Sequence, residues 1–330
     1  MTSGMLQNIL DPAILFFVFG VLAGFVRSNL EVPPAIVKFA SLYLLIALGL
    51  KGGASLATGG LPAAGALALM AAVFIAVAVP VYSFPLLRRF ASPYDAAAVA
   101  ATYGSVSAVT FIVAQQFLTS EGVEFGGYMT VAMVLMESPA IIMAVLLASY
   151  VRSRDVGTGA GQPPAALSIR KVLHEAFTDG GHLLLIGALV IGFVTGERGQ
   201  EIMQPFTVDI FKGILAFFLL DMGLLVARQL RDSPALLNRY LLAFALLMPP
   251  LNATIAFGLA AALGLGRGDA VLLAVLSASA SYIVVPAIVR YAIPEARPGT
   301  YFTMSLGITF PFNILLGIPL YYAASGWLWS

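Results

Sequence analysis

The sequence predicts an all-α integral membrane protein of about ten transmembrane helices. It predicts a five-plus-five inverted repeat in which spans 4 and 9 are broken and cross. Three observations carry this reading. The 330-residue chain is 60% hydrophobic and 10% charged, with mean hydropathy +0.96. A soluble domain carries roughly a quarter charged residues. A chain this apolar must satisfy its backbone within the lipid, and helices do so span by span. Its apolar runs have crossing length, and motifs of the first half recur in order in the second.

Runs of about 17–25 apolar residues lie near 9–26, 33–50, 62–87, 94–118, 128–151, 172–195, 206–228, 235–264, 269–292 and 300–325. The one long polar connection, Arg152 to Lys171, contains Gly157, Gly159, Gly161, Pro163 and Pro164 and reads as a flexible linker. It separates a first repeat (1–151) from a second (172–330), with 152–171 as the linker. The segment Lys171–Phe177 is expected to lie along the membrane surface. Met1–Leu10 has no basic residue ahead of its apolar run, which argues against a cleaved leader.

Orientation follows from basic residues in the short loops. One side holds Arg27, Arg88, Arg89, Arg152, Arg154, Arg170, Lys171, Arg228, Arg231, Arg239, Arg290 and Arg297; the other holds Lys51, Arg198 and Arg267. The linker is therefore expected to be cytoplasmic and both termini outside. Trp327 and Trp329 are expected to anchor the outer interface.

The recurrences are specific in order. Gly24-Phe-Val26 returns as Gly192-Phe-Val194, and Gly49-Leu50 as Gly223-Leu224. Asp95, Ser105 and Ser107 return as Asp269, Ser279 and Ser281 at one offset of 174 residues. Tyr128 and Pro139 return as Tyr301 and Pro311, within two residues of that spacing. Five spans per half is an odd number, so the second half inserts upside down, as in many secondary transporters.

The polar stretches Tyr103–Thr110 and Ser277–Pro286 sit in the fourth and ninth spans. Serine competes for backbone hydrogen bonds, and Pro286 cannot donate one. A break in each span starts a new half-helix near Val106–Ser107 and Ser281–Ile283. A helix start carries free N–H groups and a partial positive charge of roughly +0.5. Two converging starts with serine hydroxyls suit a small anion that carries its own proton. Ser105, Val106, Ser107, Ala108, Ser279, Ser281 and Tyr282 are the candidate substrate-binding residues, with Thr110 beside them. The competing explanation is that Ser and Ala only allow close helix packing, as for Gly20-x-x-x-Gly24.

Ionisable groups at membrane depth are costly and usually functional. Glu137 lies in Met136-Glu-Ser-Pro139, where carbonyls freed by Pro139 would add oxygen ligands for Na⁺. Thr110, Asn313 and Asp221 are the other sodium or coupling candidates; Asp221 is equally explained as an interfacial ion pair. Pro33-Pro34 and Pro249-Pro250 are expected at helix ends or kinks. The chain has no cysteine, and neither His174 nor His182 has metal-ligand spacing. No metal beyond Na⁺ and no cofactor is expected. A net charge of +1 gives no case for nucleic acid. Gly104-Ser-Val-Ser107 lacks the nucleophile-elbow pattern, so an enzyme is disfavoured.

Gly49-Leu-Lys-Gly-Gly53, Tyr103-Gly-Ser-Val-Ser107, Met136-Glu-Ser-Pro-Ala140 and Gly192-Phe-Val-Thr195 together resemble the SbtA-type sodium-dependent bicarbonate transporters. Phe211-Lys-Gly-Ile-Leu215, Ser277-Ala-Ser-Ala-Ser281 with Pro286, and Ile293-Pro294 extend the resemblance over nearly the whole chain outside the linker. The resemblance implies a homotrimer in the bacterial inner membrane. It also implies bicarbonate between the two broken helices, Na⁺ beside it, and a PII-like cytoplasmic regulator as a candidate partner. Four positions at three sites depart from the family pattern. Tyr282 replaces an aspartate, Ala108-Val109 replaces Gly-Ser, and Glu137 replaces an aspartate. Sodium-coupled symport of bicarbonate or a similar small monovalent anion, by alternating access, is the leading expectation. An organic-anion or proton-coupled carrier on the same fold and a passive anion channel are the alternatives.

Overall fold

The computed structural model describes residues 10–155, 174, 178–232 and 238–329. All regular structure among them is helical. Residues 156–173, which include most of the linker, lie outside them. So do residues 1–9 and all of the surface segment Lys171–Phe177 except His174. Twelve helices are built: α1 Pro12–Phe25, α2 Pro34–Gly59, α3 Ala63–Leu87, α4 Pro93–Gly104, α5 Ala108–Ser120, α6 Tyr128–Asp155, α7 Gly180–Ile202, α8 Phe211–Asp232, α9 Arg239–Ala262, α10 Arg267–Ala278, α11 Val284–Ala292 and α12 Pro298–Leu328.

Eight segments are long and apolar enough to cross a membrane: α2, α3, α4 with α5, α6, α7, α8 with the turn before it, α9 and α12. Helix α1, at 14 residues, and the pair α10 and α11, at 12 and 9, are shorter. Local chemistry sets the ends. Asp11 accepts from Ala13 N at 2.9 Å ahead of Pro12, Pro34 opens α2, and Asn238 accepts from Tyr240 N and Leu241 N. Gly60, at φ 65°, ends α2 in a conformation that side chains with a Cβ adopt at a cost. The pairs Pro249-Pro250 and Pro33-Pro34 part company: the first lies inside α9, the second at the start of α2.

Burial sorts the helices. The α4–α5 span is 94% buried along its most apolar window, against 22% for α7. Helices α4, α5, α10 and α11 therefore form the centre. Helix α7 presents Leu183, Val190, Ile191, Phe193 and Val194 outward, and α1 presents Phe16, Phe19, Leu22 and Phe25. In water this would be a large exposed apolar surface; in a bilayer it is the lipid-facing coat.

Two peripheral pairs pack along their lengths, α1 with α8 and α2 with α7. Glycine makes both close. A Cβ on Gly53 would stand 2.6 Å from Phe193 N, and one on Gly49 would stand 2.7 Å from Ala188 Cβ. On the other pair, a Cβ on Gly223 would stand 2.8 Å from Val21 N, and one on Gly24 would stand 2.5 Å from Ala227 Cβ. The Gly49-Leu50 and Gly223-Leu224 recurrences thus do the same job on the two pairs. Gly20 and Gly24 both face α8, so this glycine pattern is a packing seam.

The remaining helices form a second group around α4 and α10. Here the contacts are exchanged between the halves. Asp95, in the first turn of α4, accepts from Arg297 N at 2.8 Å and pairs with the Arg297 guanidinium at 2.7 and 2.9 Å. Asp269, in the first turn of α10, accepts from Gly126 N at 2.7 Å and from the Tyr128 hydroxyl. Each aspartate therefore fastens its helix to the start of the last helix of the other half. Helix α12 carries two π-helical turns, Thr303–Thr309 and Asn313–Gly317, around Phe310-Pro311-Phe312. Wide turns of this kind are frequent at functional sites. Trp329 donates to Leu265 O at 2.7 Å and packs on Phe257, whereas Trp327 is exposed.

Candidate substrate-binding site

Helix α4 stops at Gly104 because Ser105 is extended, with φ −99° and ψ −176°. Ser107 is also extended and caps α5, its Oγ accepting from Thr110 N at 3.1 Å. Helix α10 stops at Ala278, Ser279 is extended, and α11 starts at Val284. Ser281 Oγ accepts from Val285 N at 3.3 Å, so Ser107 and Ser281 hold the starts of the two half-helices in matching ways. Pro286 falls in the first turn of α11, where its missing N–H costs no helical bond.

The two breaks cross and are stitched together. Ser107 N donates to Ser279 Oγ at 3.0 Å, and Ser281 N donates to Thr102 O at 2.9 Å. The Ser107 hydroxyl donates to the Tyr282 hydroxyl at 3.4 Å and accepts from the Thr110 hydroxyl at 2.9 Å. Ser279 Oγ donates back to Leu276 O at 2.8 Å. These groups are all buried, where each satisfied bond is worth roughly 1 kcal/mol and an unsatisfied one costs more. The crossing is therefore a rigid unit.

Neighbouring side chains brace the end of α10. Asn313 donates to Ala278 O at 2.8 Å and accepts from the Tyr321 hydroxyl at 3.0 Å. Asn252 donates to Ser277 O at 3.0 Å and accepts from Tyr82 at 2.6 Å. With Ser279 on Leu276 O, the last carbonyls of α10 are satisfied by side chains. The end of α4 differs. Its final four carbonyls lack intrahelical donors, Thr102 O is taken by Ser281 N, and Ser105 Oγ is buried with no hydrogen-bond partner among the described residues.

A cavity of about 310 Å³ opens against this crossing. Val106, Ser107, Ala108 and Val109 line it from one break, and Ser281, Tyr282, Ile283 and Val284 from the other. Its opposite wall comes from the peripheral pairs: Ser41, Leu42 and Leu45 of α2, His182 and Leu185 of α7, and Phe218 of α8. Glu137 of α6 closes one side. Tyr282 is 6% exposed and stacks edge-on against Phe310 at 5.3 Å, so its ring is fixed while its hydroxyl meets Ser107.

Of the sequence-derived candidates, Val106, Ser107, Ala108, Ser281, Tyr282 and Glu137 line this cavity. Ser279 and Thr110 touch it through Ser107. Ser105 lies in the crossing, and Asn313 lies behind it on the Ala278 carbonyl. Asp221 is half-buried on α8 and is not among the lining residues.

The sequence reading missed one partner. Glu137 Oε2 and His182 Nδ1 are 2.5 Å apart and hydrogen-bonded, both buried on the cavity wall. Asp179 accepts from Gly181 N and His182 N at 3.0 and 3.1 Å, fixing the α7 start that carries the histidine. This pair joins α6, in the central group, to α7, in a peripheral pair. The signal available was a lone histidine at the head of an apolar span, which metal-ligand spacing does not register. Among the described residues, no group of three or more His, Cys, Asp or Glu side chains could hold a metal ion. The oxygen groups at the crossing are hydroxyls and backbone carbonyls, and Glu137 adds a carboxylate on the cavity wall; oxygen donors suit hard cations.

A search of curated proteins gave no match. The model of the Na⁺-dependent bicarbonate transporter superfamily matches residues 12–325, nearly the entire chain. That family comprises transporters and not enzymes, and the all-helical structure with its membrane-capable helices agrees with it. The chain therefore belongs to the Na⁺-dependent bicarbonate transporter superfamily.

Proposed function

We propose that this protein is a Na⁺-coupled symporter that carries bicarbonate by alternating access, built as ten crossings in a five-plus-five inverted repeat. The exchanged fastenings Asp95–Arg297 and Asp269–Tyr128 support the repeat, because swapping the halves maps one onto the other. So does the pairing of α1 with α8 and α2 with α7, the first and second spans of one half against the second and first of the other. The basic-residue asymmetry supports a cytoplasmic linker with both termini outside a bacterial inner membrane. A homotrimer and a PII-like regulator remain implications of the family resemblance.

The observation that carries the transport reading is the cavity at the crossed breaks. Bicarbonate has three oxygens, a single negative charge and one O–H. The N–H groups at the starts of α5 and α11 and the Ser281 hydroxyl supply donors, and the Tyr282 hydroxyl, which accepts from Ser107, supplies another. Two helix starts concentrate positive potential there, and Lys38, exposed on the same lining, adds a cation. Na⁺ is carried with it beside the end of α4, where the Ser105 hydroxyl and the freed carbonyls are the available oxygens. Thr110 and Ser107 border that region. Glu137 acts with His182 as the coupling contact between the central group and the peripheral pairs.

The cavity lies between those two groups and opens toward the start of α7, the linker side. The basic-residue asymmetry makes this the cytoplasmic side, which corresponds to an inward-facing state. Relative movement of the groups would expose the same crossing to the other side. A Ser107→Ala variant tests the site. It removes the α5 cap and the contact that orients the Tyr282 hydroxyl together. Half-saturation for bicarbonate uptake is expected to rise about tenfold. Unchanged half-saturation would place the substrate elsewhere.

A further inference from the structure

Farther along the same face of α5, toward its C-terminal end, lies a second recess of about 190 Å³. Ile112, 2% exposed, lines both, so one buried side chain stands between them. Lys51, Gln115, Gln116, Thr119, Thr130 and Gln200 line it, beside the apolar Leu48, Ile112, Phe125 and Phe211. Lys51 sits eight residues before the end of α2 at Gly59, about 12 Å along the helix. Its ammonium lies 4.8 Å from the centre of the Phe211 ring and pairs with no carboxylate among the described residues. A separate observation points into the same space. Among the described residues the buried Thr130 hydroxyl has no hydrogen-bond partner, and it lies beside Gly52, the residue next to Lys51.

A cation this deep, facing carboxamides and a free hydroxyl rather than an acid, is an expensive arrangement to keep without a counter-ion. The repeat places Leu225 at the position equivalent to Lys51, so this lysine has no counterpart in the second half. We propose that this recess is the outer docking site for the small oxyanion, with Lys51 as its counter-charge and the amides and Thr130 as its hydrogen-bonding shell. The anion waits there until Ile112 and the helices beside it part. The proposal rests on the transport reading for the identity of the anion, but the recess itself can be probed without transport. A positive charge at the foot of a low-dielectric vestibule concentrates anions there. An adjoining recess carries Asp11, Glu121 and Lys212, with Gln116 shared between the two.

The chain has no cysteine, so a single Thr119→Cys reports on the recess in the full-length protein. Anionic and cationic methanethiosulfonate reagents of equal size, applied from outside, give a labelling ratio that reads the local charge. Adding Lys51→Gln is expected to lower the anionic-to-cationic ratio about fivefold. Bicarbonate is expected to slow labelling only where Lys51 is present. In proteoliposomes, Lys51→Gln is expected to raise the half-saturation for inward uptake about tenfold with the maximal rate within about twofold, and Lys51→Arg to retain the native value. An unchanged labelling ratio, or bicarbonate protection that survives Lys51→Gln, would overturn the docking site. A wild-type chain that takes up no bicarbonate would instead contradict the transport reading, and the labelling ratio would still decide the recess.

Discussion

Glu137 and His182 form the contact in which a single residue matters most. Both are buried, and their 2.5 Å contact joins the central group to a peripheral pair. Removing one partner of a buried ionisable pair leaves the other desolvated, which costs about 3–5 kcal/mol, whereas replacing both with apolar groups of similar volume is close to neutral. His182→Ala is therefore expected to lower the unfolding temperature in detergent markedly, and Glu137→Met with His182→Leu is expected to restore most of it. Transport is expected to be impaired in both, because the contact between the central group and the peripheral pair is gone in each. Equal destabilisation by the single and double variants would show that the pair is not the source of the effect. Glu137 was legible in the sequence as an acid at membrane depth. His182 was not, because its partner lies 45 residues away on another helix and no local pattern links them.

At the scale of the element, the glycine seams and the two breaks are set by the same fact: backbone approaches backbone where side chains are absent or small. A Cβ on Gly53 would stand 2.6 Å from Phe193 N, whereas a Cβ on Gly187 would meet nothing within 4 Å. Gly53→Val is expected to destabilise the α2–α7 pair by at least about 1–3 kcal/mol through overpacking. Gly187→Ala is expected to be neutral or stabilising by about 0.5–1 kcal/mol, since it replaces a helical glycine at an unobstructed position. Thermal unfolding of the two variants side by side checks the contrast, and similar losses in both would contradict the seam. The glycine recurrences were readable in sequence, but which helix each faces was not, because pairing across the halves is a tertiary property. The serine-rich stretches announced weak helix. The bonds Ser107 to Ser279 and Ser281 to Thr102, which cross the breaks, needed coordinates. The bracing of α10 by Asn252 and Asn313 was similarly invisible, since each works on a carbonyl distant in sequence.

For the molecule as a whole, composition alone indicated a helical membrane protein, because an apolar chain with so few charges has no other stable way to bury its backbone. The family follows from motifs in order along the chain, and its model covers residues 12–325. Substrate coupling is the part that energetics decides. Moving one bicarbonate inward against an inside-negative potential costs about 2.3 kcal/mol per 100 mV. That amount corresponds to roughly a fiftyfold exclusion at equilibrium. Entry of one Na⁺ with each anion would cancel the charge, and among the described residues Ser105 with the open end of α4 has oxygens to spare. Tyr282, where an acid stands in the family pattern, leaves the ion with neutral ligands only at the crossing. The most direct measurement is the initial rate of labelled bicarbonate uptake into proteoliposomes of the purified full-length chain, with and without an inward Na⁺ gradient. The account predicts saturable uptake that requires Na⁺ and is lost when choline replaces it. Uptake that proceeds at the same rate without Na⁺ would contradict it.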